Sequence, residues 1–571
     1  MWYPKVKQHN RLGFSNLMED TPQDQIDPQL TPIDPVTAPD TAPITSSPPP
    51  VTTEPVIGSH HNRRKAWLII TLIVMVLAGA AAAAAYSKHH HKQAVATKKD
   101  IPYLTVGSNE AADLTHLYPT ETADTDSSTE LNMQLFESLV RYQVGTKITP
   151  LLATSWNNPD NSTWVFNLRH DVKFHSGRTM TAADVKYSLD YAVAHQGDYS
   201  AATLMSLAST IGQVTVVNPY QVKITTNGPD PTLLNRLAYL YILDSKAKLG
   251  DPNAGSGPYI VKPGTTPSMN SMYLTANNSY WGGHIYTREV YAQMFTNNDQ
   301  FVTAVNQGKF DIAGDFTTKQ LSSISNYQPL IEKDFGVDVL GLNTLKVGSP
   351  MTSLAARQAA SYALNIPAII KAGGQSGVQA SQLIPPAIPG YDPSIKNIPY
   401  NPTKAKQLLA SVPHGSAPLT LSYPSGDDGQ VAEIAKELNA VGFNVKISLI
   451  ADITTEANAA LAGQLDMYFI GDSTATLDGL QLINDLVVSA TGNYNNATVT
   501  NLANQAGSTL DPSARIAILQ KISRQVVSDI PTIPLYAPLR TSTLTASKHY
   551  HVQVDIPSIE PGVYFWQVYQ Q

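Results

Sequence analysis

The sequence predicts a mixed α/β fold (α/β or α+β), and three observations indicate this class. The chain has 571 residues, which is enough for about two or three domains rather than one core. From Ile101 to Gln571, segments with helical periodicity alternate with segments of strand-like alternation. Within this part, residues 419–449 combine a strand, a helix and a strand with short links, which is typical of a parallel βαβ unit.

Residues 1–65 are rich in Pro, Thr, Asp and Ser and show no helical or strand period. A segment of this composition cannot bury enough apolar surface to offset the entropy lost on ordering. We therefore expect a disordered, Pro-rich cytoplasmic tail. The three prolines Pro48–Pro50 leave an alternative open, in which the tail docks a cytoplasmic partner instead of remaining solvated.

An apolar stretch without charges follows at residues 66–86. About 20 apolar residues suffice for a helix to cross the hydrocarbon core of a membrane. Because the basic residues Arg63–Lys65 precede the stretch, the positive-inside rule places the tail in the cytoplasm and the remaining chain outside. The competing interpretation is a signal peptide cleaved within Ala80–Ala85. The long leader and the long apolar run favour a permanent single-pass anchor in the cell membrane.

Residues 87–100 are predicted to link this transmembrane helix to a globular part at 101–571. Three adjacent histidines, His89–His91, lie in the linker. A good metal site needs ligands that converge from a rigid frame, so we interpret these side chains as exposed rather than as metal ligands. The sequence predicts no metal site and no cofactor.

The first clear helix start in the globular part is at Thr181. Thr181 and Asp184 have the spacing of a capping box, in which the two side chains satisfy unpaired amides at a helix start. Val185, Leu189 and Val193 then fall on one helical face. We therefore predict a helix that begins after Thr181 and buries this face.

Two further helices are marked by proline. Asn401–Pro402 places Pro at the first helical position, where no amide donor is needed, and Leu408–Leu409 supplies the apolar face. Another helix is predicted at Pro512–Val527. Pro531 closes it, because proline cannot continue a helix.

The βαβ unit begins at Leu419–Tyr423, where LTLSY alternates like a strand. Apolar residues then recur at helical spacing, at Val431, Ile434, Ala435, Leu438 and Val441. Gly442 stands where a helix would stop, because glycine readily adopts the left-handed conformation at that position. The stretch FNVKISLI alternates again and completes the parallel unit.

Charge, composition and motifs exclude several function classes. The net charge of −7 gives no basic footprint for a nucleic acid, and the lack of cysteine excludes disulfides, thiolate metal sites and cysteine nucleophiles. The sequence contains no phosphate loop, no zinc-binding helix motif and no nucleophile elbow. The tripeptide Gly471–Ser473 is similar to the nucleophile block of one lipase class, which leaves hydrolysis by Ser473 as an alternative. Because three residues recur often by chance, we predict that the protein is not an enzyme.

Eight short blocks have the order and the approximate spacing of blocks in one protein family. They are PLLATSW (150–156), WVFNLRHDVKFHSGRTMTAADVKYSLDYA (164–192), GSGPY (255–259), NNSYWGG (277–283), GKFDIA (308–313), RQAASYALN (357–365), IPPAIPGYDPS (384–394) and PYNPTKAKQLLA (399–410). Together they resemble the extracellular solute-binding proteins of family 5, the peptide- and nickel-type binding proteins of ABC importers. The resemblance covers about residues 101–571.

This resemblance implies a two-lobed periplasmic-binding-protein-like fold with a hinge and an extra subdomain. In such a fold the lobes close over the solute. The implied boundaries are lobe I at about 101–145, 255–342 and 535–571, the extra subdomain at about 146–254, and lobe II at about 343–534.

Several residues of the blocks are interpreted as architectural. Gly177 is expected to permit a tight turn. Gly255 and Gly257 are expected to adopt unusual backbone angles where the chain crosses between lobes, and Pro258 is expected to stiffen the crossing. Tyr259 is our candidate ligand contact from these blocks, since tyrosine joins a large apolar face to a polar tip.

Peptide-binding members of the family carry a lobe II segment of the form G-W-x-x-D-x-x-[DE]-P, whose central Asp pairs with the amino terminus of the peptide. The stretch Gly471–Gly479 resembles this segment, with Asp472 at the Trp position, Ala475 at the central Asp position and Asp478 at the later acid. A buried ammonium without a partner is costly, so the resemblance implies another acid or another ligand. Asp472 is the candidate substitute, and a solvated loop acid is the alternative. Asp478 is a further candidate contact, with a helix cap as its alternative.

The resemblance also implies the partners. A monomeric receptor, held at the membrane by its own helix, would capture a peptide or a similar small solute and deliver it to the subunits of an ABC permease. Tethering near the permease would raise the effective concentration of the receptor. Two alternatives stay open: a non-peptide solute such as a sugar, haem or a metal chelate, and a solute sensor that signals through the span.

Overall fold

The described part of the chain begins after the predicted tail. The computed structural model describes residues 98–109, 114, 126–143, 146–195, 210–314, 316, 318–325, 327–333, 335–474, 476–545, 550–552 and 563–570. The predicted tail (1–65), the predicted span (66–86) and most of the linker lie outside these ranges. Within these ranges, no helix is long and apolar enough to cross a membrane.

Strands and helices alternate along the described residues. The strands are β1 (Leu104–Ser108), β2 (Glu137–Ser138), β3 (Val140–Gln143), β4 (Lys147–Pro150), β5 (Ala153–Asp160), β6 (Thr163–Leu168), β7 (Ile211–Asn218), β8 (Gln221–Thr226), β9 (Tyr241–Ile242), β10 (Tyr259–Val261), β11 (Ser271–Ala276), β12 (Glu289–Met294), β13 (Ile312–Gly314), β14 (Gln328–Lys333), β15 (Gly336–Leu342), β16 (Gly377–Gln379), β17 (Pro418–Pro424), β18 (Asn444–Ile450), β19 (Met467–Ser473), β20 (Thr532–Thr545), β21 (Tyr550–His551) and β22 (Tyr569–Gln570). The helices are α1 (Asp126–Leu135), α2 (Ala182–Ala194), α3 (Leu233–Leu237), α4 (Asn298–Asn306), α5 (Thr318–Leu321), α6 (Leu354–Ala363), α7 (Ile366–Ala372), α8 (Pro402–Ala410), α9 (Asp428–Val441), α10 (Ile453–Leu461), α11 (Gly479–Ile483), α12 (Ala497–Ser508) and α13 (Pro512–Asp529).

Twelve of these strands form one sheet, in the order β10-β11-β12-β1-β13-β20-β15-β19-β17-β18, with β14 and β16 also paired to β20. We call the half with β1 and β10–β14 the first lobe and the half with β15–β19 the second lobe. Strand β20 belongs to both, because its start pairs with β15 and β16 and its end pairs with β13 and β14. The predicted two-lobed α/β architecture is therefore present, and β20 joins its two halves.

A separate antiparallel sheet, with the order β5-β6-β8-β7, packs against α2. Alternate side chains of β6 and β8 are buried, as expected for a sheet with one covered face. Their core includes Phe166, Val185, Leu189 and Ile224, and it draws its members from residues between Leu139 and Ile242. We call residues 139–242 the antiparallel unit.

The predicted βαβ unit is confirmed. Strands β17 and β18 are parallel over their whole length, and α9 connects them. All five apolar residues predicted for the inner face of α9 are buried in the core of the second lobe. Gly442 ends the helix in the left-handed conformation, with φ of 113°.

The predicted helix starts are confirmed as well. The Asp184 carboxylate accepts a hydrogen bond from the Thr181 amide at 2.9 Å, as a capping box requires. The Asn401 side chain accepts from the Lys404 amide at 2.9 Å, and Pro402 occupies the first helical position. Helix α13 begins at Pro512 behind the cap Asp511 and extends to Asp529.

The expected role of the glycines in GSGPY is wrong, although the requirement for glycine is real. Gly177 does adopt a positive φ of 83°, but Gly255 and Gly257 are not among the positive-φ residues. A Cβ atom on Gly255 would lie 2.0 Å from the Leu135 carbonyl oxygen, and one on Gly257 would lie 2.6 Å from the Gln134 oxygen. Both glycines are needed because the chain passes directly against the end of α1.

Candidate functional site

The carboxyl ends of β17, β18 and β19 lie at one edge of the second lobe, because β17 is parallel to both neighbours. In open α/β sheets, ligands bind outside this edge. The segment after β19 reaches the antiparallel unit: the Thr476 carbonyl accepts from the Tyr142 hydroxyl at 3.1 Å and from the Asn235 amide at 2.7 Å. We call these two hydrogen bonds the Thr476 bridge. The carboxyl edge therefore faces another part of the molecule, and the predicted segment Gly471–Gly479 begins there.

Asp472 lies near the end of β19 and is partly exposed. Its Oδ1 atom accepts from the Ser473 amide at 2.8 Å, whereas Oδ2 is buried without a hydrogen-bond partner among the described residues. Burial and, to a smaller extent, the nearby Asp485 together raise the pKa of this carboxyl to about 7. A positively charged or hydrogen-bonding group of a ligand would therefore stabilise the charged form of Asp472.

Asp485 lies on a π-helical turn, Asn484–Val488, which follows α11 directly. Such turns are frequent at functional sites. Burial raises the pKa of the Asp485 carboxyl, and a hydrogen bond with Gln481 opposes this rise. Neither Asp472 nor Asp485 forms an ion pair within the ranges that the structure describes.

Asp478, the second predicted contact, is buried and its oxygens are occupied. Oδ1 accepts from the Leu480 amide at 2.9 Å and caps α11. Arg515 binds both carboxylate oxygens, with Nη2 at 2.8 Å from Oδ1, and its Nε donates to the Ala506 carbonyl at 2.9 Å. This geometry is that of the helix-cap alternative, since it leaves Asp478 with a charged partner of its own.

The other two predicted contacts are Ala475 and Tyr259. Ala475 lies outside the described residues. Tyr259 lies in the core of the first lobe with no exposed surface, and its hydroxyl donates to the Thr287 carbonyl at 2.8 Å. Of the four predicted positions, the structure thus places Asp472 and Asp478 on one continuous segment and Tyr259 in a separate core.

Glu137 is a buried acid that the sequence analysis missed. Its carboxylate accepts from Ser256 Oγ at 2.8 Å, Trp281 Nε1 at 2.8 Å and the Tyr280 hydroxyl at 3.1 Å. Burial raises the pKa of this carboxyl to about 7. The donors come from the GSGPY and NNSYWGG blocks, so both blocks meet at one carboxylate. A single acid within the apolar run LFESLV was the signal that could have found it.

Glu137 borders a cavity of about 50 Å³ that is lined mainly by aromatic rings. Arg141 and Tyr142 also line this cavity, and Tyr142 connects it to the Thr476 bridge. The volume suits a few ordered waters or one small chemical group.

A larger cavity of about 540 Å³ lies in the second lobe beside β20. Its walls include Val337, Gln379, Tyr391 and Pro538. Val337 pairs with Asp472 across β15 and β19, so the two side chains share one face of the sheet. The volume lies in the range of small-molecule sites, and one of its wall residues, Val337, is the cross-strand neighbour of Asp472.

Comparison with known proteins decides the family. Residues 147–494 match the model for the bacterial extracellular solute-binding proteins, family 5 (middle region). The chain belongs to this family. The eight sequence blocks therefore mark a true membership, and the lobes and crossing strands described above are those of a family 5 protein.

The curated relatives in family 5 are named for different ligands. The heme-binding protein A of Haemophilus influenzae is 28% identical over 52% of this chain and 58% of the relative. The dipeptide-binding protein of Escherichia coli is 30% identical over 49% of this chain and 57% of the relative. The glutathione-binding protein GsiB of Escherichia coli is 25% identical over 76% of this chain and 88% of the relative. The chain thus matches little more than half the length of the first two.

Solved structures share the fold. The murein tripeptide binding protein MppA in its unliganded open form has a TM-score of 0.72 at 19% identity, and the match covers 83% of this chain and 99% of MppA. HbpA2 from Haemophilus parasuis has a TM-score of 0.71 at 21% identity, over 82% of this chain and all of HbpA2. These likenesses establish the two-lobed periplasmic-binding-protein architecture.

Proposed function

We propose that this family 5 protein is a membrane-anchored, extracytoplasmic receptor that captures a peptide or a similar small solute between its lobes and delivers it to an ABC permease. Capture would stabilise the closed arrangement because the solute contacts both lobes at once. The proposal includes the lobe and subdomain boundaries stated for the sequence. It assigns no chemical reaction to the protein.

The observation that carries the proposal is an unpartnered acid at the ligand-binding edge of a family 5 fold. Asp472 has a buried oxygen without a hydrogen-bond partner among the described residues, at the carboxyl edge of the second lobe, and its cross-strand neighbour Val337 lines a cavity of about 540 Å³. A peptide offers a matching group, its amino-terminal ammonium. In this proposal Asp472 binds that ammonium in place of the acid that Ala475 cannot supply.

Native mass spectrometry of the full chain, extracted in mild detergent, tests the solute class. Denaturation after isolation of the complex would release any passenger for identification. We expect a ladder of short peptides. A single non-peptide mass would show that the protein has another solute, and the absence of both a passenger and any peptide-induced change would contradict the proposed function.

The role of Asp472 is tested by Asp472→Asn and a pair of probes, trialanine and N-acetyl-trialanine. Wild-type protein should bind trialanine at least about tenfold more tightly than N-acetyl-trialanine, because only the free amine can pair with the Asp472 carboxylate. A tenfold difference in affinity corresponds to about 1.4 kcal/mol. The variant should lose this preference because the amide carries no charge. Asp190→Asn, an exposed substitution on α2, is the matched control. Equal binding of both probes by wild-type protein would remove Asp472 from the site.

Anchoring through residues 66–86 is part of the same proposal. The full chain should sediment with membranes after a high-salt wash and should be released only by detergent. Recovery of the mature chain in the soluble extracytoplasmic fraction, with a new amino terminus near Ala80–Ala85, would instead show cleavage of a signal peptide.

A further inference from the structure

Glu456, in the first turn of α10, is a fully buried acid without a partner. Its relative exposure is 0%, and neither carboxylate oxygen has a hydrogen-bond partner among the residues described. The ends of its helix are otherwise well satisfied, since the Asp452 side chain accepts from the Thr455 amide at 2.7 Å. A buried carboxylate of this kind is expensive unless it is protonated or acquires a positive partner.

A second acid, Asp427, lies close to Glu456 and is partly exposed. Electrostatic repulsion from Asp427 adds to burial in raising the pKa of Glu456 to about 8, and burial also raises the pKa of Asp427 itself. Among the described residues, the Asp427 carboxylate accepts one long hydrogen bond, of 3.5 Å, from Gln430 Nε2. The two acids therefore repel each other, and the partly exposed Asp427 is the one that solvent can reach.

The pair of acids lies at the edge of the sheet where the solute is proposed to bind. Asp427 follows the carboxyl end of β17, and Glu456 follows the carboxyl end of β18, so both lie on the edge that carries Asp472. The ion pair between Lys346 and Asp466 lies at the opposite end of β19. Throughout the described ranges, neither Asp427 nor Glu456 takes part in an ion pair.

An organic cation fits this pair better than a metal ion. Hard metal ions require several oxygen ligands, and the part of the chain that the structure describes contains no cluster of three or more His, Cys, Asp or Glu suited to a metal. An ammonium or guanidinium group needs fewer acceptors and pairs strongly with carboxylates. The side chains of lysine and arginine carry these groups at the end of a flexible apolar stem.

We propose that Asp427 and Glu456 form a cation subsite of the solute site, which receives the lysine- or arginine-type side chain of a basic peptide. This inference rests on the proposed function and deepens it by naming the solute class. Asp427 meets the incoming cation first. Glu456 then releases its proton to solvent and completes the ion pair, so the binding of one cation is coupled to the release of up to one proton.

Isothermal titration of the full chain with two closely matched peptides tests the subsite. The probes are Ala-Lys-Ala and Ala-norleucine-Ala, which differ only in the terminal ammonium. Wild-type protein should prefer the lysine peptide by about tenfold or more. Glu456→Gln and Asp427→Asn should each reduce this preference to about threefold or less, whereas Asp190→Asn on the exposed face of α2 should leave it unchanged.

Proton release gives an independent readout. Titrations at pH 7 in two buffers of different ionisation enthalpy should show that the lysine peptide releases a substantially larger fraction of a proton than the norleucine peptide, because any proton released from Asp472 by the amino terminus is common to both peptides. Glu456→Gln should abolish the difference. A merely structural effect of this variant would lower the affinity for both peptides alike and would leave their ratio unchanged.

The outcomes separate this inference from the proposed function. Equal binding of the two peptides by wild-type protein would overturn the cation subsite and leave the peptide receptor intact. If neither peptide binds, 1,5-diaminopentane is the remaining probe. Binding of the diamine that depends on Glu456 would support the subsite without the peptide assignment, and no binding of the diamine would overturn the subsite as well.

Discussion

At the scale of single residues, Glu456 shows a conflict between stability and binding. A neutral Glu456 is tolerated in the core, but a charged one is not, because neither oxygen has a partner within the described residues. Asp427 and Tyr468 are the titratable groups that act on it electrostatically. A residue that lowers stability in this way is typical of a site kept for function rather than for folding.

Replacing this acid should stabilise the protein most at alkaline pH. The folded pKa of Glu456, about 8, lies above its ordinary value of 4.5. Between these pH values the folded state keeps a proton that the unfolded chain has lost, so the free energy of unfolding falls as pH rises. Glu456→Gln should remove this slope and raise the free energy of unfolding at pH 8 by roughly 1–3 kcal/mol.

Urea denaturation at pH 5 and pH 8 measures this effect. The control is Asp190→Asn, because Asp190 lies on the exposed face of α2 and pairs with Lys186 at 2.7 Å. An equal increase in the free energy of unfolding at both pH values would mean that Glu456 is not the group that stays protonated in the folded state. The variant is therefore expected to fold better and bind basic peptides less well.

At the scale of secondary-structure elements, the end of α1 and the GSGPY block (255–259) are in close backbone contact, which holds these two segments against each other. The Gly257 amide donates to the Leu135 carbonyl at 2.9 Å, at the end of the helix. Ser256, between the two glycines, donates to Glu137 just beyond α1. The absence of side chains at Gly255 and Gly257 therefore lets the backbone of this block contact the end of α1 while Ser256 binds the Glu137 carboxylate.

Adding one methyl group to this contact should be costly. In Gly255→Ala the new Cβ would lie 2.0 Å from the Leu135 oxygen, so backbone must move. We expect a loss of at least about 2 kcal/mol in the free energy of unfolding. Gly228→Ala is the matched control, since a Cβ there meets no atom within 4 Å and should change the stability by less than about 0.5 kcal/mol.

Thermal unfolding by calorimetry compares the two glycine variants directly. A Gly255→Ala protein as stable as the control would show that α1 and the block are free to separate.

Elements built from local signals were predictable from the sequence, and long-range pairings were not. The helix caps at Thr181 and Asn401 and the left-handed Gly442 depend on a few neighbouring residues, and all three are confirmed. The sharing of β20 between lobes depends on pairing with strands hundreds of residues away. No local pattern encodes such a pairing.

The candidate site was predictable only in part, for the same physical reason. Asp472 was found through the resemblance of its segment to a known one, and one of its carboxylate oxygens has no hydrogen-bond partner among the described residues. Glu137 and Glu456 were missed because acids at helical or strand positions normally indicate a solvated face. Trp281, which hydrogen-bonds to Glu137, is far from it in the sequence, and Tyr468, which acts electrostatically on Glu456, lies on a different element, so no local pattern reveals either environment.

At the scale of the whole molecule, the Thr476 bridge connects the second lobe to the antiparallel unit. Both donors use the same carbonyl oxygen, and Thr146 adds a third contact by donating to the Ala387 carbonyl at 3.2 Å. Side chains of Tyr142 and Leu477 also share one apolar core across this contact. The relative position of the two parts is thus held by a few hydrogen bonds around a small apolar patch.

Loss of the bridge should broaden the distribution of distances between these parts. The double variant Tyr142→Phe with Asn235→Ala removes both donors and leaves the Tyr142 ring in place. Because the chain has no native cysteine, spin labels can be attached at introduced cysteines alone. Val217 in β7 and Leu449 in β18 are suitable positions, since their exposures are 51% and 61%.

Pulsed electron resonance on the doubly labelled protein gives this distance distribution. The matched control, Tyr273→Phe, removes a hydroxyl from an exposed tyrosine of the first lobe and should leave the distribution unchanged. A distribution as narrow as that of wild-type protein would show that the apolar patch alone sets the arrangement.

The sharing of β20 also has a consequence for biosynthesis. Strands β13 and β15 both require β20 as a neighbour, and β20 is among the last strands to leave the ribosome. Until then their edges have open hydrogen-bonding groups, which favour aggregation and attract chaperones. A nascent chain that cannot finish its central sheet remains unfolded for longer, and an unfolded chain is the form that a secretion channel can thread. The order of the strands therefore suits a protein that folds after it has been exported.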